Sequence, residues 1–142
     1  DKMTIAALSA VLALYADPNR LAQKLPALLL LTRANAEIEA QAARLLPRLQ
    51  AALAGQAEIT VIPVNSQIGS GALPVDLLPS AALRLRPAGK PGGAKLTRLA
   101  ARFRALPIPV IGRIQDNALL FDLRCLDDEA GFVAQLQSLA HP

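Results

Sequence analysis

The chain has 142 residues, of which 53% are apolar, 18% charged and 3% aromatic, a length and composition that suit one compact unit with its own core and exclude a disordered chain. One cysteine, Cys125, and one histidine, His141, exclude a disulfide framework, a Cys/His metal cluster and a His-dependent triad within the chain, and so few aromatics leave scarcely any platform on which bases could stack. The net charge of +4 comes from 15 Lys plus Arg against 11 Asp plus Glu, and points to an anionic partner more than to an acidic or metal-binding chemistry.

Residues 3–16 form an uncharged run of 14, too short for a bilayer span of about 20 residues, with Ile5, Leu8, Leu12 and Tyr15 at helical steps. The chain opens on Asp1 and Lys2, without an initiator Met or a basic leader. The expectation is an amphipathic helix of a chain cut upstream, in a cytoplasmic protein with no membrane partner. Asp17 and Pro18 end that helix, a short turn runs to Lys24, and Pro26 introduces an apolar run over residues 27–31. A long helix is predicted over residues 33–53, with Ile38, Ala42, Leu45, Leu49 and Leu53 on one stripe, Pro47 as a kink and Gly55 as its left-handed cap.

From Glu58 to Val64 the pattern becomes that of a strand rich in β-branched residues, which Pro63 assigns to an edge position or a bulge. Residues 65–74, Asn-Ser-Gln-Ile-Gly-Ser-Gly-Ala-Leu-Pro, read as a loop whose backbone could approach a ligand or simply turn. It is neither a phosphate-binding P-loop nor a dinucleotide fingerprint, because no Gly-Lys-Ser/Thr follows and no third glycine opens a helix. Residues 81–86 alternate, placing Leu83 and Leu85 on one face and Arg84 and Arg86 on the other. A helix over residues 94–105 buries Leu96, Leu99 and Phe103 and presents Lys95, Arg98 and Arg102.

Pro107 and Pro109 end that helix before a strand over residues 110–114, a turn at Gln115, Asp116 and Asn117, and a partner strand over 119–123. Asp127, Asp128 and Glu129 stand at the positive start of a last helix that turns Phe132, Leu136 and Leu139 inward, so capping explains them better than acid–base work. The order β-β-α-β-β-α after helical pieces implies an α+β fold, an antiparallel sheet of about four strands covered by helices.

Between Asp76 and Asp116 no acidic residue occurs, while Arg84, Arg86, Lys90, Lys95, Arg98, Arg102, Arg104 and Arg113 do. Such a block reads either as a phosphate-binding surface or as a solvated basic face. Cys125 follows an apolar strand with no His nearby and reads as a buried, inert thiol, and His141 as a solvated tail. None of Lys2, Lys24, Lys90 and Lys95 sits in the apolar surroundings that would activate an amine. No set of residues makes a complete catalytic constellation, so the residues alone describe a basic α+β module that binds or assists.

Three separated stretches carry a resemblance: Asp1-Lys2-Met3-Thr4-Ile5-Ala6-Ala7-Leu8, then Ser66-Gln67-Ile68-Gly69-Ser70-Gly71-Ala72-Leu73-Pro74, then Pro109-Val110-Ile111-Gly112-Arg113-Ile114 with Leu123-Arg124. Together, in this order, they resemble the C-terminal part of bacterial selenocysteine synthases, the L-seryl-tRNA(Sec) selenium transferases. The resemblance implies the small C-terminal domain of a fold-type I pyridoxal-phosphate enzyme, with residues 1–32 as a helical segment joining a missing cofactor domain and residues 33–142 as the α+β domain. It implies a homo-oligomeric parent that converts seryl-tRNA(Sec) to selenocysteinyl-tRNA(Sec) with selenophosphate, the cofactor supplying the carbanion chemistry.

In the family the Schiff-base lysine and an arginine pair lie upstream of the position matching Asp1. The chain alone is therefore expected to hold no catalytic residue, cofactor or metal and to be inactive. Ser66, Gln67, Gly69, Gly71 and Arg113 are the candidates for substrate contact, and Arg84, Arg86, Lys90, Lys95, Arg98 and Arg102 for tRNA phosphates. The competing expectation is a stand-alone tRNA- or RNA-binding α+β module without catalysis.

Overall fold

A computed structural model describes residues 1–67, 77–89 and 92–139, and divides the chain into two compact units, Asp1–Arg33 and Ala34–Pro142. The first unit holds three helices, α1 (Lys2–Leu14), α2 (Pro18–Lys24) and α3 (Pro26–Leu31). Asp1 caps α1 by accepting from the Met3 N–H, and Pro18 and Pro26 each open a helix, where the missing proline N–H costs nothing. None of the three helices contains a buried residue, and Ile5, Leu8, Leu12 and Tyr15 are exposed. The first helix is shorter at its C-terminus than expected, ending at Leu14 with Tyr15 as its cap.

The second unit begins with α4 (Asn35–Ala52). Ile38, Ala42, Leu45 and Leu49 are buried along one stripe, and the helix continues through Pro47, which is exposed beside the fully buried Leu45 and Leu49. Gly55 follows the helix with φ +72°, the left-handed conformation expected there. Two long strands come next, β1 (Ala57–Gln67) and β2 (Leu77–Pro87). Asn65, Ser66 and Gln67, expected in a loop, are strand residues, because their backbone pairs with Pro79, Leu78 and Leu77.

Helix α5 (Gly93–Arg104) leads to β3 (Arg113–Gln115) and β4 (Ala118–Asp122), and the chain continues through a short turn of 3-10 helix, Leu123–Cys125, into α6 (Glu129–Gln135) and a second 3-10 turn, Leu136–Leu139. The strand expected over residues 110–114 is confined to β3, since the Val110 N–H is spent on the Phe103 carbonyl rather than on a strand. The hairpin between β3 and β4 turns on Asp116 and Asn117, with φ of 50° and 58°.

The four strands form one antiparallel sheet in the order β1-β2-β4-β3. Pro63 lies in the edge strand β1, as expected. Pro79 lies in β2, but beyond the stretch from Ala82 to Leu85 that pairs with β4, so its missing N–H interrupts no second ladder. One face of the sheet, carrying Ile59, Leu83, Leu85, Leu119 and Phe121, packs under α4, α5 and α6 with Leu45, Leu49, Phe103, Phe132 and Leu136. Phe103 and Phe121 meet at 4.6 Å between ring centroids, tilted by 58°. Each such buried large side chain contributes about 1.5–3 kcal/mol before entropy is counted. The α+β class, the four-stranded antiparallel sheet and the helical segment before it are as the sequence predicts.

Candidate nucleic-acid interface

Residues opposite one another on antiparallel strands share a face. The register therefore aligns Thr60, Arg84, Leu120 and Arg113 across β1, β2, β4 and β3 on the face away from the helices. Arg86, opposite Glu58, follows Arg84 by two positions on the same face. Leu120, with Arg84 on one side and Arg113 on the other, is only 5% exposed.

Arg84, Arg86, Arg113 and Leu120 line an open groove of about 540 Å³, with Gln67 and Gln115 also in its lining. Arg84 donates its Nε–H to Thr60 Oγ1 at 3.1 Å, which fixes the guanidinium against β1. Arg86 and Arg113 are exposed, and neither side chain makes an ion pair or hydrogen bond among the described residues. The structure thus joins Arg113, singled out for substrate, to Arg84 and Arg86, singled out for tRNA. The sequence could not reveal this, because the insertion of β4 between β2 and β3 is a property of topology.

The basic helix α5 differs. Lys95 donates Nζ to the Ala88 carbonyl at 3.1 Å, and Arg102 donates Nη1 to Gln56 Oε1 at 2.5 Å and Nη2 to the Leu139 carbonyl. Those two side chains tie the helix to its own domain, while Arg98 is exposed. Lys90, Gly69 and Gly71, together with His141, lie outside the described residues.

Ser66 and Gln67 end β1, Gln67 exposed at the groove. The Ser66 hydroxyl is engaged within the fold. Asp122 accepts from Ser66 Oγ at 2.5 Å through Oδ2, and from Ser80 Oγ at 2.7 Å and the Arg124 N–H at 3.1 Å through Oδ1. Arg124, buried to 5% exposure, donates Nη2 to the Pro79 carbonyl at 2.5 Å. Neither Asp122 nor Arg124 stood out in the sequence, because their partners Ser66, Ser80 and Pro79 are 42 to 56 positions away.

Cys125 is exposed, contrary to the expectation of a buried thiol. Strand alternation stops at Asp122, and in the 3-10 turn that follows Leu123 and Arg124 turn inward while Cys125 faces out. Asp128 caps α6 by accepting from the Gly131 N–H at 2.8 Å, and Glu129 receives both Nε and Nη2 of Arg44, at 3.1 and 2.7 Å. The hydrogen bond to Glu129 raises the pKa of Arg44. Asp128 and Glu129 are accounted for as cap and ion pair, Asp127 accepts from the Asp128 N–H at 3.0 Å, and among the described residues no His/Cys/Asp/Glu group could hold a metal.

The family model described as L-seryl-tRNA selenium transferase matches residues 1–127. The L-seryl-tRNA(Sec) selenium transferase of Methylocella silvestris is 52% identical over 139 residues, covering 98% of this chain and 29% of the relative. Those of Salmonella paratyphi B and Salmonella choleraesuis are 54% identical over 137 residues, covering 96% of this chain and again 29% of the relative. The chain thus spans under a third of the length of these relatives and corresponds to a C-terminal part of them. With its sequence matched over nearly its whole length, the chain belongs to the L-seryl-tRNA selenium transferase family.

Proposed function

We propose that this chain is the small C-terminal domain of a fold-type I, pyridoxal-phosphate-dependent enzyme that converts seryl-tRNA(Sec) to selenocysteinyl-tRNA(Sec) with selenophosphate. The observation that carries this reading is the 52–54% identity to proteins named L-seryl-tRNA(Sec) selenium transferase over 96–98% of the chain. In the parent, a cytoplasmic homo-oligomer, bound pyridoxal phosphate supplies the electron sink for replacing the seryl hydroxyl.

The lysines among the described residues do not by themselves fit that cofactor. Lys2, Lys24 and Lys95 are all exposed, whereas a Schiff-base lysine needs a sheltered setting that lowers its pKa. Lys24 lies 3.9 Å from Asp17, and Lys95 is engaged by the Ala88 carbonyl. On this reading the amine that holds the cofactor belongs to another part of the parent protein, and the domain contributes substrate placement. Residues 1–32 would be the segment that joins the two parts. No helix among the described residues is long and apolar enough to cross a membrane.

The test is an assay of selenocysteinyl-tRNA(Sec) formation from seryl-tRNA(Sec), selenophosphate and pyridoxal phosphate. The full-length protein carrying this domain is expected to form the product, and the 142-residue chain alone none. Product from the chain alone, or none from the full-length protein, rejects the reading.

A further inference from the structure

We propose that the face of the sheet turned away from the helices binds the phosphate backbone of double-stranded RNA through Arg84, Arg86 and Arg113, and that Lys95 and Arg102 of α5 serve the fold instead. The proposal rests on the seryl-tRNA reading only for which RNA is bound.

Charge and geometry point to a backbone. Arg84 and Arg113 flank Leu120 two strands apart, about 10 Å at the usual strand spacing, and Arg84 and Arg86 lie about 7 Å apart along one strand. Guanidinium groups spread in this way suit a row of phosphates better than the enclosed grip of a single one, and their planar forks match phosphate oxygens. Glu58 and Asp116 stand at the Arg86 end of the face, and neither is ion-paired with an arginine among the described residues. The middle of the groove, on both sides of Leu120, is its positive part.

The aromatic inventory then selects the form of the RNA. Phe103, Phe121 and Phe132 are buried in the core, and no aromatic residue is among those lining the groove. The groove therefore offers no ring on which an unpaired base could stack, which is how single strands are commonly held. An A-form duplex needs no such ring, since it presents phosphates and 2′-hydroxyls across a wide, shallow minor groove. Gln67 and Gln115, which also line the protein groove, each supply an amide that can donate to or accept from a 2′-hydroxyl. On α5, by contrast, Lys95 and Arg102 already donate to Ala88, Gln56 and Leu139.

The experiment titrates the 142-residue chain with a short labelled RNA duplex of arbitrary sequence, with one of its strands alone, and with inorganic phosphate as competitor at matched ionic strength. The duplex is expected to bind about tenfold more tightly than the single strand at low salt. Arg86→Ala and Arg113→Ala should each weaken duplex binding severalfold and take about 1 from the slope of log affinity against log salt, with unchanged urea midpoints. Arg98→Ala should change neither quantity.

Equal binding of duplex and single strand, an Arg98→Ala loss as large as that of Arg86→Ala, displacement of the duplex by inorganic phosphate, or no RNA binding at low salt overturns the proposal. The duplex carries no tRNA identity, so a failed selenium-transfer assay leaves this result intact. Loss of duplex binding likewise leaves the transferase reading standing.

Discussion

Ser66, at the end of β1, donates its hydroxyl to Asp122, at the end of β4, across 2.5 Å. The same carboxylate accepts from Ser80 on β2 and from the Arg124 N–H, so one side chain fastens two strands and the turn after a third. Ser80 is almost fully buried, and without its acceptor it would keep an unsatisfied hydroxyl away from water. Asp122→Ala should lower stability by about 2–4 kcal/mol, and Asp122→Asn, which keeps one acceptor oxygen, by less. Urea denaturation of the two variants checks the order. Equal stability of Asp122→Ala and the parent would show that the cluster contributes nothing to the fold.

Gly112 sits where no side chain fits. A Cβ there would lie 2.6 Å from the Leu120 carbonyl oxygen and 2.8 Å from the Phe121 ring, in contact with the strand that β3 pairs with. The carbonyl belongs to the sheet and cannot yield cheaply. Gly112→Ala should cost about 1–3 kcal/mol, read as a drop in thermal midpoint, and should loosen β3, read as faster amide exchange at Ile114. Because β3 carries Arg113, the same variant should also weaken RNA binding more than its exposed position suggests.

Most of the scaffold could be read from local signals, and most of the groove could not. Asp17 and Pro18 mark the end of the first helix, the alternation from Leu83 to Arg86 fixes a strand and its faces, and Asp128 marks the start of α6, all within a few residues. The adjacency of Arg84 and Arg113 instead depends on β4 entering between their strands, a pairing of residues far apart in the chain. The same limit hid the partners of Ser66, which looked free for a ligand until Asp122 was placed beside it. Cys125 misled for a different reason, since strand periodicity was carried one turn too far into a 3-10 helix.

The turn between β3 and β4 uses two non-glycine residues with positive φ, Asp116 at 50° and Asn117 at 58°. This is the pattern of a two-residue hairpin whose twist matches its strands, and Asn followed by Gly suits its two central positions best. Asn117→Gly should therefore be neutral or stabilising by up to about 1 kcal/mol, since it removes a Cβ from the left-handed region. Asn117→Val should cost about 1–2 kcal/mol, because a β-branched side chain is poorly tolerated there. Thermal melts of the two variants moving in the same direction would contradict the turn geometry.

Arg102 separates a structural cation from a ligand-binding one. Its guanidinium reaches Gln56 just after α4 and the Leu139 carbonyl near the end of the described chain, so it joins three parts of the domain from one position on α5. Arg102→Met keeps much of the apolar stem but removes every one of these donors, leaving the Leu139 carbonyl and the Gln56 amide to find other partners. The expected loss is about 1–3 kcal/mol in urea denaturation. At temperatures where the variant remains folded, its affinity for an RNA duplex and its salt slope should match those of the parent chain, because its charge is turned into the fold. A variant of full stability but weakened, less salt-dependent RNA binding would assign Arg102 to the ligand and return the α5 stripe to the interface.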